Sequence, residues 1–216
     1  MRTKIIACET LRDELELAMQ LTQSDYEIHW AASGLHNFTK KLRIHLQHCL
    51  DNITECDRVL MAFGACGNAA VGLRTRDKEL IFPKVDDCIS MLIGSTSKRT
   101  ELGENCTYYV TPGLLRSQFN AWQAYQYIVK EYGEKTGAAV AKRMLSQYKY
   151  LGLLQDDSYD LESFLPIFHQ VSVDLGLEER LLPASVQYLR DLLSGPWEED
   201  RFHIFPPKSI ITAFPL

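Results

Sequence analysis

Several absences narrow what this chain can do. None of its six cysteines stands in a Cys-x-x-Cys pair, so a zinc ribbon is excluded. The glycine-rich stretch Gly64-Ala65-Cys66-Gly67-Asn68 lacks a Gly-Lys-Ser/Thr ending, which weakens a phosphate-loop reading. No apolar run approaches the roughly 18 residues that a membrane span needs. No block of like charge interrupts the 216 residues. With a formal net charge of -5, neither nucleic acid nor an acidic membrane is an expected partner. Met1 leads straight into an apolar run with no secretory-signal pattern, so a cytoplasmic, reducing setting is expected. There, cysteines are more often free thiols or metal ligands than disulfides.

What is present is an ordinary globular composition, 46% apolar and 24% charged. A chain of this length buries about 70% of its unfolded surface and requires no disulfide staple. Apolar, β-branched and aromatic runs predict strands over 4–8, 25–31, 59–63, 79–83, 106–111, 150–154, 179–182, 202–205 and 209–212. Helical periodicity fills the spaces between them. The first helix starts at Glu9 or Thr10. Leu11, Leu15, Ala18, Met19 and Leu21 form its apolar stripe, and Arg12, Asp13, Glu14 and Glu16 face water. Further helices are expected over 39–53, over 88–94 with Asp86 as cap, and over 114–134, 138–148, 161–175 and 184–193. Residues 98–105 read as a polar loop. Alternation of this kind predicts an α/β fold, a mostly parallel sheet flanked by helices. The stretch 114–148 divides it into two lobes, 1–113 with a Cys-rich edge and 114–216 with a second, smaller α/β unit.

That edge carries the chemistry. Cys8, Cys66 and Cys88 each follow a predicted strand and precede a predicted helix, and His36 follows the second strand. In an open parallel sheet such loops share the carboxyl edge, where ligands bind. A thiol at a helix N-terminus is expected to have a lowered pKa, and thiolate is the form that binds metal. Three thiolates and an imidazole form a common tetrahedral zinc set. Three thiolates with an open position suit an iron–sulfur cluster instead. Buried cysteines that merely pack are also common. Gly64, Gly67 and Asn68 form either an anion-binding turn or a plain tight turn. Glu9 and Asp87 adjoin the candidate ligands, as acid/base groups or ligand-orienting partners, or simply as helix caps. Tyr108, Tyr109 and Trp122 suit a pocket wall or core packing. Cys49 lies on a helix stripe and reads as core.

Residues 4–11 (KIIACETL), 33–37 (SGLHN), 64–73 (GACGNAAVGL), 86–94 (DDCISMLIG) and 108–113 (YYVTPG), with Trp197 and the FHIFPP ending at 202–207, cover most of the chain. Together they resemble an uncharacterised domain-of-unknown-function family of anaerobic bacteria and methanogenic archaea. Its members are often encoded near corrinoid-dependent methyltransferases. The family's His-Asp-Cys pattern stands here as Asp86-Asp87-Cys88. The resemblance implies a role in anaerobic one-carbon and corrinoid metabolism. With the ligands read from the strand-end loops, Cys8, Cys66 and Cys88, completed by His36 or Glu9, are expected to hold zinc in a methyltransferase or its accessory. The alternatives are a non-catalytic module that binds a small molecule, a corrinoid or a corrinoid protein, and an iron–sulfur protein serving corrinoid reactivation.

Overall fold

Apolar runs such as Val59-Leu60-Met61-Ala62 can be buried only as strands covered on both faces, the usual state of a parallel sheet. The computed structural model describes residues 1–101 and 106–215. It places β1 (Thr3–Cys8), β2 (Glu27–Ala31), β3 (Arg58–Ala62), β4 (Glu79–Pro83) and β8 (Phe202–Phe205) in one sheet, in the order β2-β1-β3-β4-β8. The first four strands are parallel, and β8 joins the β4 edge antiparallel. A second sheet, β5 (Thr107–Val110), β6 (Tyr150–Gln155) and β7 (Glu178–Pro183), is parallel throughout. The fold class expected from the sequence is therefore the one observed.

Alternate residues of the strands feed separate cores. Ile6, Val59, Met61, Leu80 and Phe82 pack with Leu42, Leu46 and Leu50 of α2 (Thr39–Asn52). On the opposite face, Ile5, Ala7, Leu60 and Ile81 meet Leu11 beside the first helix and Leu15 and Ala18 of α1 (Arg12–Thr22). The same cluster takes in Ile89, Met91 and Leu92 of α3 (Cys88–Ile93) and Leu189, Leu192 and Leu193 of α9 (Gln187–Ser194). Tyr109 and Leu154 of the second sheet complete it, so these helices lie sandwiched between two sheets. The outer face of the second sheet packs Leu151 and Leu153 against α7 (Glu134–Met144) and α8 (Leu161–Leu175) through Ala141, Phe168 and Val171.

Several expectations need correction. Residues 98–105 do not form a loop throughout, because α4 (Thr96–Glu101) covers the first part; 102–105 lie outside the described residues. The single helix expected over 114–134 is two, α5 (Pro112–Arg116) and α6 (Ala121–Tyr132). Asn120 separates them: its Oδ1 caps α6 by accepting from Gln123 N–H at 2.9 Å, and its Nδ2 donates to the Leu115 carbonyl at 3.0 Å. The cap of α3 is Asp87 and not Asp86, with Oδ1 accepting from Ser90 N–H at 2.9 Å. Of the strand expected at 209–212, an isolated bridge between Ile210 and Arg74 is what forms. The two sheets do not follow the division at residue 113. β5 precedes it yet pairs with β6, and β8 returns to the first sheet.

Glu14 does not face water. It is 0% exposed, and neither carboxyl oxygen has a hydrogen-bond partner. Its position, three residues after Leu11 and four before Ala18, places it on the buried stripe of α1. Burial above all, then the nearby Asp156 and Asp13, raises its pKa to about 8, against opposing contributions from its own backbone and Arg116.

Candidate functional site

The order β2-β1-β3-β4 puts a topological switch point between β1 and β3, since α1 and α2 cover opposite faces. Ligands of open α/β sheets bind at the carboxyl ends of the strands beside such a point. Cys8 is the last residue of β1, Cys66 lies just past β3, and Cys88 opens α3. Beyond the sheet, the β3 and β4 loops stay joined. Ala65 N–H donates to the Val85 carbonyl at 2.8 Å, and Cys66 N–H donates to the Asp86 carbonyl at 2.8 Å. Gly64 permits the approach, because a Cβ there would stand 2.5 Å from the Asp87 backbone nitrogen. Cys66 then takes a left-handed φ of 44° and Asn68 one of 65°, conformations costing about 1 kcal/mol or more for a residue with a side chain. Turns follow Cys66, and no helix starts there, so the anion reading that relied on a helix N-terminus loses its basis.

Cys8, Cys66, Cys88 and His36 all line one cavity of about 570 Å³. Gly64, Gly67, Asn68 and Asp87 line it as well. Tyr108 and Tyr109 of β5, with Phe119 and Asn120 from the link between α5 and α6, close it. Phe119 rests on the turn after β2, where a Cβ on Gly34 would stand 2.1 Å from its ring. Trp122 points elsewhere and donates through Nε1 to Asp174 Oδ2 at 2.7 Å. Glu9 lies outside the cavity: its Oε2 accepts from Ser33 N–H at 3.1 Å and its Oε1 faces Arg12 at 3.8 Å. Both oxygens of Asp87 are engaged, Oδ1 with Ser90 N–H and Oδ2 with Arg99 at 2.5 Å. Cys49 lies on α2 against His45 Nε2 at 3.5 Å.

Thr10 is the residue that sequence reasoning missed. It is 1% exposed, and its Oγ1 lies 3.1 Å from Cys8 Sγ and 3.9 Å from Cys88 Sγ. One hydroxyl thus links two of the three thiols. Its place, two residues beyond Cys8 in the 3-10 turn Glu9–Leu11, was the available signal.

The thiol pKa values move opposite to the expectation from helix termini. Burial pushes Cys66 up to about 12, with Cys8 and Asp87 adding to it and a Gly64 backbone hydrogen bond opposing. Burial first, then Cys8, Asp87 and Cys66, lifts Cys88 well above its usual value, although it opens a helix. Burial raises Cys8 as well, opposed by hydrogen bonds from the side chain and backbone of Thr10. A six-residue helix has too small a dipole to offset desolvation of this size. His36 is shifted down by burial, against Asp87, and is a neutral imidazole at pH 7. The ion-free protein therefore holds three protonated thiols and a neutral histidine.

Thiolate sulfur and neutral imidazole are donors that a thiophilic ion takes, with the thiol protons released on binding. The sulfurs surround the cavity and do not meet at a point. Among the described residues, no group of three or more His, Cys, Asp or Glu side chains is arranged to hold a metal ion. Capture of an ion would thus require the thiols to close in, since sulfurs around one zinc stand roughly 3.8 Å apart at Zn–S distances of about 2.3 Å.

Fold and site together define an α/β protein with a doubly wound first sheet and a thiol-lined cavity at its switch point. A family model described as a protein of unknown function (DUF1638) matches residues 30–193, and the chain belongs to that family. The match spans His36, Cys66 and Cys88; Cys8 lies before it. No curated protein and no solved structure matches the chain. Among the described residues, no helix is long and apolar enough to cross a membrane.

Proposed function

We propose that the cavity binds zinc through Cys8, Cys66 and Cys88, and that the protein serves methyl transfer in anaerobic one-carbon metabolism. The observation behind this reading is that thiols from three separate strand ends open onto one cavity. Arg99 is paired with Asp87, so its charge is already matched by a carboxylate. The amide and hydroxyl of Thr10 and the Gly64 backbone support the sulfurs in their ionised form, as partners around metal-bound thiolates do. Bound zinc supplies Lewis acidity that keeps a substrate thiol ionised near neutral pH, the state in which sulfur accepts a methyl group. His36, a neutral imidazole lining the same cavity, offers a fourth donor, and Tyr108 and Phe119 line the space with it. Glu9, facing away, has no part in the set. The corrinoid setting, with a corrinoid protein as the methyl-bearing partner, rests on the sequence resemblance.

Metal analysis of anaerobically purified protein tests the reading. One zinc per chain, abolished by Cys66→Ser and retained by Cys49→Ser, supports it. Brown protein with iron and sulfide replaces zinc by a cluster. Folded, metal-free protein that takes up no zinc leaves a binding module, a second reading that the volume favours: about 570 Å³ lies within the roughly 300–1,000 Å³ of small-molecule pockets.

A further inference from the structure

We infer that Thr10 is a positioning residue that holds Cys8 and Cys88 together as a pair; the inference rests on the thiol-site reading and names what organises it. Cys8 ends β1, while Cys88 opens a helix 80 positions later in the sequence and one strand beyond the neighbouring β3. No backbone hydrogen bond joins the two segments directly among those described; β3 lies between them. The Thr10 hydroxyl bridges that gap, at 3.1 Å from one sulfur and 3.9 Å from the other.

The hydroxyl itself has little freedom. Thr10 is 1% exposed, and its carbonyl is pressed against Gly113, where an added Cβ would stand 2.2 Å away. The start of α5 thereby clamps the turn that carries Thr10. With both thiols protonated, hydroxyl and thiol can exchange donor and acceptor roles. Once Cys8 is ligated it has no proton, and the hydroxyl can only donate to it. The Cys8 contact therefore gains strength when an ion takes that sulfur as thiolate, because a donor to a charged acceptor is worth roughly twice a neutral pair. Groups that orient a ligand in this way typically change metal affinity by about 10- to 100-fold.

The experiment compares wild type, Thr10→Val and Thr10→Ser in the full chain under anaerobic conditions. Cobalt(II) alone is one probe, read by affinity and by the sulfur-to-cobalt absorption band. Phenylarsine oxide is the other. It bridges two nearby thiols with loss of water and needs no metal; it is used in a Cys66→Ser background, where Cys8 and Cys88 are the cavity thiols left and adding Cys88→Ser should abolish the bridging. Thr10→Val is expected to weaken cobalt binding about 10- to 100-fold, to shift the band and to slow arsenical capture, while Thr10→Ser restores all three. Thermal midpoints within error of wild type confirm that the variants are folded. Cobalt binding and arsenical capture unchanged in Thr10→Val overturn the inference, as does a Thr10→Ser variant that fails to restore them. If wild type binds no cobalt, the metal reading fails and the arsenical decides alone: slowed capture in Thr10→Val supports the positioning role, and equal capture overturns it.

Discussion

Replacing Glu14 by Gln should stabilise the protein at neutral pH, and the size of the gain follows from its burial. The folded-state pKa of Glu14 is about 8, against 4.5 for an ordinary glutamate. As pH rises from 4.5, the unfolded chain releases this proton while the folded chain retains it. Stability therefore falls with pH through that window, by about 1.4 kcal/mol per pH unit, and levels off above the folded pKa. By pH 7 the accumulated loss is about 3 kcal/mol, a large share of the roughly 5–15 kcal/mol that keeps a domain folded. Gln has the size of protonated Glu and no charge to lose in either state. Its buried amide lacks partners much as the acid does, so most of that pH-independent penalty cancels. Urea unfolding of both proteins at pH 5, 6, 7 and 8 isolates the effect, because other titrating groups drop out of the difference. The expected advantage of Glu14→Gln is below about 1 kcal/mol at pH 5 and on the order of 3 kcal/mol at pH 7. A difference that does not grow with pH, or a variant less stable at pH 7, would refute a buried, unpartnered carboxyl at this position.

Gly64→Ala should force the β3 and β4 loops apart, since the new methyl meets the Asp87 backbone at 2.5 Å. An overpacking cost of about 1–3 kcal/mol in urea unfolding is expected, with weakened zinc uptake, and wild-type values for both would show that the loops do not need to touch. Asp87→Ala removes the cap of α3 and the partner of Arg99 together. Calorimetry should register a loss of about 1 kcal/mol or more, and an unchanged midpoint would contradict the cap.

The parts legible in the sequence were those fixed by local pattern. β4 and α8 fall at their expected bounds because an unbroken apolar run and a Gly176 stop leave no competing choice. The convergence of Cys8, Cys66 and Cys88 on one cavity followed from a topological rule, that loops after parallel strands share an edge. Pairing between distant segments was not legible: nothing local in 107–110 says that its neighbour is 150–153, nor that 202–205 returns to β4. Burial was equally hidden. It reversed the expected thiol pKa shifts and turned Glu14 from a surface group into a core one. α4 escaped notice because Thr-Ser-Lys-Arg-Thr-Glu has no apolar face to set a period.

The way β8 rejoins the first sheet has a consequence for how the molecule holds together. The chain leaves that sheet after β4 and comes back on the adjacent strand, where Lys84 N–H donates to the Arg201 carbonyl at 2.8 Å. By connectivity, everything between those residues is a detachable insertion whose two ends already touch. By energetics it is nothing of the kind. Val85, Met91, Leu154 and Leu189, from within the insertion, share one apolar cluster with Ile5, Leu15, Leu60 and Phe202 from outside it. Excising the excursion and splicing its ends would leave α1 on that face of the remaining sheet but remove α3, α9 and the second sheet from it, so the two parts melt as a single cooperative unit.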